Sequence, residues 1–149
     1  MKITILTLVA LALSLTFYSF ANSNEDTYSL TIDVKNLRNA KGVVLFALYN
    51  IDGSIPDEDY ENYYKILKGE IIKGSSTITF KNIPSGKYAV NILHDENKNG
   101  KIDKGFILPK EGIGFSNFQS IGFANRPNFS KASFELKENK TINVKVIYM

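Results

Sequence analysis

The chain has 149 residues, 44% of them hydrophobic, with 18 Lys and Arg against 15 Asp and Glu. That size and composition suit one globular domain and argue against disorder. Having no cysteine excludes disulfides, thiol catalysis and a lipid-anchored Cys, and a near-balanced charge without a Lys/Arg cluster argues against nucleic-acid binding.

Residues 1–21 have the layout of an export signal. Lys2 is a short positive region. Ile5 to Phe20 is apolar, broken only by Thr7, Ser14, Thr16, Tyr18 and Ser19. Ser19-Phe20-Ala21 places small residues at the two positions a signal peptidase reads. The rival is an uncleaved anchor. The stretch is marginal for that, because a span needs about 20 apolar residues, and no basic stop-transfer flank follows. The reading is a cleaved signal peptide over 1–21, a periplasmic or secreted product, and no membrane span afterwards. Residues 22–27 read as a polar tether, and 28–149 as a single domain.

From Tyr28 the dominant period is two, the signature of strands. Tyr28, Leu30, Ile32 and Val34 share one face, with Ser29, Thr31, Asp33 and Lys35 on the other. Val43 to Tyr49 is apolar on both faces, as in a central strand covered on two sides. One segment breaks the period. Tyr60, Tyr63, Tyr64 and Leu67 recur at helical spacing after Ser54, Pro56 and the acidic run Asp57 to Asp59, with Gly69 beyond them. This predicts a short helix near 56–67 over one open end of the sandwich. The tyrosines would either pack on the core or form a sugar-stacking platform.

Ile78 and Phe80 alternate with Thr77 and Thr79. Ile83-Pro84-Ser85-Gly86-Lys87-Tyr88 is a tight turn feeding a strand in which Tyr88, Val90 and Ile92 share a face. Residues 104–130 are a long Gly- and Pro-containing stretch holding Phe106, Phe115, Phe118, Phe123 and Phe129, expected to fold back onto the domain. Ala132, Phe134 and Leu136 mark another strand, and Ile142, Val144, Val146 and Tyr148 the last. The sum is an all-β, antiparallel sandwich of immunoglobulin or transthyretin type with about seven strands and the one short helix.

The residues with the clearest chemistry are Asp95-Glu96-Asn97-Lys98-Asn99-Gly100-Lys101-Ile102-Asp103. Side-chain oxygens stand at positions 1, 3, 5 and 9, with glycine at 6, as in the first nine positions of an EF-hand calcium loop. Calcium takes six to eight hard oxygens. Asp95, Asn97, Asn99 and Asp103 would supply side-chain ligands, Lys101 its carbonyl, and Gly100 the bend. At position 12 the bidentate Glu is replaced by Phe106, so Glu111 from the next loop is the candidate to complete the shell. Few charges predict weak binding, about 10⁻⁴–10⁻³ M. The same residues equally suit a metal-free connection built from Asx-turns.

His94 is the single histidine. It either fixes the strand-to-loop corner by a hydrogen bond or, in a hydrolase, serves as base beside Ser116 and a carboxylate. Spacing identifies no nucleophile and no catalytic residue, and a sandwich by itself implies no activity.

With those phrases assembled, the chain resembles the bacterial exported family DUF2141. The resemblance is carried by Ile83-Pro84-Ser85-Gly86-Lys87-Tyr88-Ala89-Val90 and by His94 through Asp103. It continues in Pro109-Lys110-Glu111-Gly112-Ile113-Gly114-Phe115-Ser116-Asn117, and in Arg126-Pro127-Asn128-Phe129 leading to Ala132-Ser133-Phe134. Asn125 and Arg126 depart from the Gly or Pro usual before the last Pro-x-Phe. The resemblance implies an exported β-sandwich, brings no established activity, and groups His94, Asp95, Asn97, Asn99, Asp103 and Glu111 as one site. The expected function is a non-enzymatic exported module with a calcium-stiffened loop beside the Phe- and Gly-rich surface, its partner an envelope protein or glycan. The alternatives are a hydrolase using His94 and a metal-free structural domain.

Overall fold

A computed structural model describes residues 26–106 and 108–149. The expected signal peptide and most of the tether lie outside the described residues, and Thr27 already belongs to the first strand. No helix among the described residues is long and apolar enough to cross a membrane.

The elements run β1 (Thr27–Val34), β2 (Val43–Tyr49), β3 (Lys65–Gly69), β4 (Ser76–Pro84), β5 (Gly86–Asp95), β6 (Gly112–Phe115), α1 (Phe129–Ala132), β7 (Phe134–Leu136) and β8 (Lys140–Asn143). They form two sheets. One has the order β4-β1-β8, the other β3-β2-β5-β6, with β7 also on β5. Every pairing of named strands is antiparallel except β1 with β8, which run parallel with Leu30 opposite Lys140.

The period-two pattern explains the layering. Leu30, Ile32 and Val34 of β1 meet Val44, Phe46 and Leu48 of β2 and Tyr88, Val90 and Ile92 of β5 in the core between the sheets. The outer face of β1 and β4 stays polar, with Thr31 bonded to Thr79 and Thr77 donating to Asp33. The other face of the larger sheet is also covered. Leu45, Ala47 and Tyr49 of β2 and Ala89 and Leu93 of β5 pack there against Ile55, Tyr60, Phe115, Phe118, Phe129 and Ala132. The unbroken apolar run of β2 is therefore the mark of a strand buried on both sides.

The short helix is not near 56–67. It is α1, four residues long, with the Asn128 side chain accepting from the Lys131 N–H at its start. In the expected helical segment, Asp57 folds back to accept from the Tyr49 hydroxyl and the Asn62 N–H, and Tyr60 takes φ +54. That conformation interrupts a right-handed helix. Residues from Lys65 pair with β2 instead, with Phe46 opposite Leu67. The tyrosines do not share a face. Tyr60 is buried, while Tyr63 and Tyr64 are exposed. The segment lies on the outer face of the larger sheet.

The stretch 104–130 folds back only in part. Phe115, Phe118 and Phe129 are buried, but Phe106 and Phe123 stand at 102% and 88% exposure.

Candidate cation-binding loop

The 95–103 loop starts where β5 ends. Asp95 is 0% exposed and opposes Val43 at the start of β2. Its Oδ1 accepts from the Asn99 N–H at 3.1 Å and its Oδ2 from the Gly100 N–H at 2.8 Å. Gly100 has φ +82, the left-handed bend that glycine adopts without steric cost. Asn97 Oδ1 accepts from the Asn99 N–H and Asn99 Oδ1 from the Lys101 N–H. Across the loop, Asn97 Nδ2 donates to Asp103 Oδ2 at 2.5 Å and Asn99 Nδ2 to Asp103 Oδ1 at 2.9 Å. Asp95, Asn97, Asn99 and Asp103 are thus drawn into one knot, in which Asn nitrogens face Asp103. Lys101 joins by its backbone N–H, and its side chain is exposed.

Glu111 braces the knot. Its Oε1 accepts from the Glu96 N–H at 2.8 Å and its Oε2 from the Asp103 N–H at 3.2 Å, so it ties the two sides of the loop. Burial pushes its carboxyl above the ordinary glutamate range against those two bonds, and Asp103 and Asp95 push the same way. Asp95, Asp103 and Glu111 have no salt bridge among the described residues. Glu96 points elsewhere. Burial would raise it, but Asn39 and Arg38 outweigh that and hold its carboxyl below the usual range. Among the described residues no group of three or more His, Cys, Asp or Glu is placed to hold a metal ion as the side chains now stand.

His94 is buried between Lys41 and Tyr148. Its Nε2 lies 2.9 Å from the Lys41 carbonyl and its Nδ1 2.7 Å from the Tyr148 hydroxyl. A carbonyl only accepts, so Nε2 carries the proton, and in the neutral ring Nδ1 accepts from Tyr148. Ser116 is engaged separately. Its Oγ accepts from the Val90 N–H and donates to the Ala132 carbonyl. The two side chains of the hydrolase alternative therefore hydrogen-bond to different partners.

The family model described as an uncharacterized protein conserved in bacteria, DUF2141, matches residues 32–144. The chain belongs to the DUF2141 family. No curated protein and no solved structure matches it.

In this DUF2141 chain, a second polar group lies on the same outer face of the larger sheet. Tyr49 donates to Asp57, which also accepts from the Asn62 N–H and Nδ2. The Tyr60 hydroxyl is buried without a hydrogen-bond partner, and so is the Asn91 carboxamide apart from a looser interaction with the Tyr49 hydroxyl. Sequence reading missed these residues. One signal was visible: Asn91 is the polar residue within the otherwise apolar run from Tyr88 to Leu93 of β5.

Burial, then the Asp57 charge, pushes the Tyr49 hydroxyl far above the ordinary tyrosine range. Burial, then Tyr49, Asp57, Asp95 and Glu111, does the same to Tyr60. A free tyrosine ionises near pH 10. Above that the folded chain holds protons that the unfolded chain has lost, so their stability contribution is intact below about pH 10 and falls as pH rises. In an alkaline titration, these two tyrosines are expected to ionise only together with loss of the β-sheet circular dichroism signal. Full tyrosinate absorbance from a still-folded protein would contradict this.

Proposed function

We propose that this protein is an exported, non-enzymatic binding module whose 95–103 loop is stiffened by a weakly held calcium ion. The observation that carries the reading is a buried concentration of negative charge without a cation. Asp95 and Glu111 are both buried, Asp103 stands beside them, and none has a basic side chain against it. Burial chiefly, and then the like charges of Asp103 and Asp95, raise Glu111, and a divalent ion would relieve that electrostatic cost.

Ion binding would exchange the present hydrogen bonds, at the cost of those in which Asn97 and Asn99 Oδ1 accept from the Asn99 and Lys101 N–H groups. Asn97 and Asn99 turn their amide nitrogens to Asp103. A half-turn of each amide places oxygen where nitrogen stands, which converts two donors into two calcium ligands. Hard oxygens favour calcium over transition metals. Each loop carboxylate keeps lone pairs beyond those its present donors use. The exposed Phe106 and Phe123, on the stretch that follows the loop, support a surface for an envelope protein or glycan.

Melting curves with millimolar calcium and with chelator test the reading. At tenfold excess over the dissociation constant, binding adds about 1.4 kcal/mol. A rise of several degrees is expected, smaller with magnesium, which dehydrates reluctantly. Asp103→Asn should abolish the rise and keep the fold, because its carboxylate is only partly buried. Identical melts in calcium and in chelator would sink the proposal.

A further inference from the structure

A recess of about 140 Å³ opens on the outer face of the larger sheet. Ile102, Ile121, Pro109 and Pro127 give it apolar walls. Glu58 and Lys104 also border it and pair with each other. Their side chains are 53% and 49% exposed, so this charge lies at the mouth, where water still reaches it. The volume is close to the ~150 Å³ of an apolar cavity that takes a benzene ring.

The chain holds out such a ring beside the recess. Phe123 is 88% exposed and lies two residues beyond the wall residue Ile121, yet it does not line the recess of its own chain. Its turn is braced. Gly122 and Asn125 exchange backbone hydrogen bonds, and the Asn125 side chain donates to the Ser120 carbonyl. A ring presented on a fixed turn loses little freedom when it docks. A projection and a socket side by side on one surface are self-complementary about a twofold axis, because each projection then meets the other copy's socket. The charges agree with this. The Arg126 guanidinium lies 5.6 Å from the Phe123 ring centroid. Asp59 is the exposed neighbour of Glu58 at the mouth. Neither Arg126 nor Asp59 has an ion pair among the described residues. A docked Phe123 carries Arg126 to that acidic rim.

We propose that this protein pairs with a second copy of itself, each Phe123 ring seated in the Ile- and Pro-walled recess of the other copy and each Arg126 facing the acidic rim. Phe106 and Leu108, both exposed, stand beyond Lys104 and Pro109, which border the same recess. They extend the apolar surface toward the total of about 1,200 Å² that a specific pair buries. The pairing rests on reading the exposed phenylalanines as a partner surface and names that partner. It does not depend on calcium.

Sedimentation equilibrium of the purified protein in chelator, from micromolar to millimolar concentration, tests the pairing. A monomer–dimer equilibrium is expected. Phe123→Ser should weaken it at least about thirtyfold, the loss typical of an anchor residue, and leave the melting curve unchanged because the ring is outside the core. Ile72→Ser removes another exposed apolar side chain, one that does not line the recess, and should leave the equilibrium as it is. Isotope-filtered NMR on mixed labelled and unlabelled copies should show contacts between chains from the Phe123 ring to the Ile102 and Ile121 methyl groups. A monomer at every concentration would overturn the proposal, and uptake of N-acetylphenylalanine amide by that monomer would give the recess to a different protein. A dimer that survives Phe123→Ser would overturn it as well. So would equal losses in Phe123→Ser and Ile72→Ser, the mark of unspecific adhesion. Should Phe123→Ser fail to fold, the contacts between unaltered copies still decide. Failure of the pairing leaves the calcium reading intact, since the melting curves judge that separately.

Discussion

Gly42→Ala is expected to destabilise the protein by about 3–5 kcal/mol, enough to unfold a marginal domain. Gly42 has φ +74, and a methyl group there would stand 1.8 Å from the Asp95 carbonyl oxygen and 2.6 Å from the Glu96 Cα. The left-handed conformation alone costs a non-glycine residue about 1–2 kcal/mol. The larger part is the collision, because both neighbours are backbone and no side-chain rotation relieves it. Either the start of β2 or the end of β5 must move. Val43 pairs with Asp95 and Val44 with His94, so the movement breaks the first pairs of the β2–β5 ladder. It also pulls Lys41 from His94 and displaces Asp95 at the head of the loop. Denaturant unfolding measures the loss. A decrease below about 1 kcal/mol, the typical cost of an average substitution, would show that this close approach is not tight.

What the sequence could reveal follows from how local each determinant is. The strands were legible because alternate burial writes itself into neighbouring residues, as in Leu30, Ile32 and Val34. The run Val43 to Tyr49 even announced that its sheet is covered twice. The loop was legible because its ligand-type residues and Gly100 lie within nine positions, and the folded chain does gather Asp95, Asn97, Asn99 and Asp103. The segment after Pro56 misled because tyrosine spacing is a local signal overruled by distant partners. Tyr49 and Asn62 capture Asp57, and β2 recruits Lys65–Gly69 as an edge strand. The parallel pairing of β1 and β8 was invisible for the same reason, since period two is identical in parallel and antiparallel strands. Glu111 could be named as a neighbour of the loop, but its brace needs the hairpin-like return that brings Lys110 back to Asp103.

That brace predicts the second large effect. Glu111→Ala is expected to cost about 3–5 kcal/mol, because it removes two hydrogen bonds to a charged acceptor, each worth about 1.5–3 kcal/mol. It leaves the Glu96 and Asp103 N–H groups without the carboxylate that now joins them. Burial and the neighbouring carboxylates strain the Glu111 charge and so offset part of this value. The bonds still dominate, since alanine supplies no acceptor for either N–H. Glu111→Gln separates bracing from ion binding. It keeps one carbonyl acceptor and relieves the buried charge, so about 1–2 kcal/mol of loss is expected. It also removes one of the three carboxylates that would attract calcium. If Glu111 helps to hold the ion, the glutamine variant stays folded and its melting temperature no longer responds to calcium. A calcium-dependent rise as large as in the parent would take Glu111 out of the ligand set, leaving it as the strut across a loop whose remaining charges are Asp95 and Asp103.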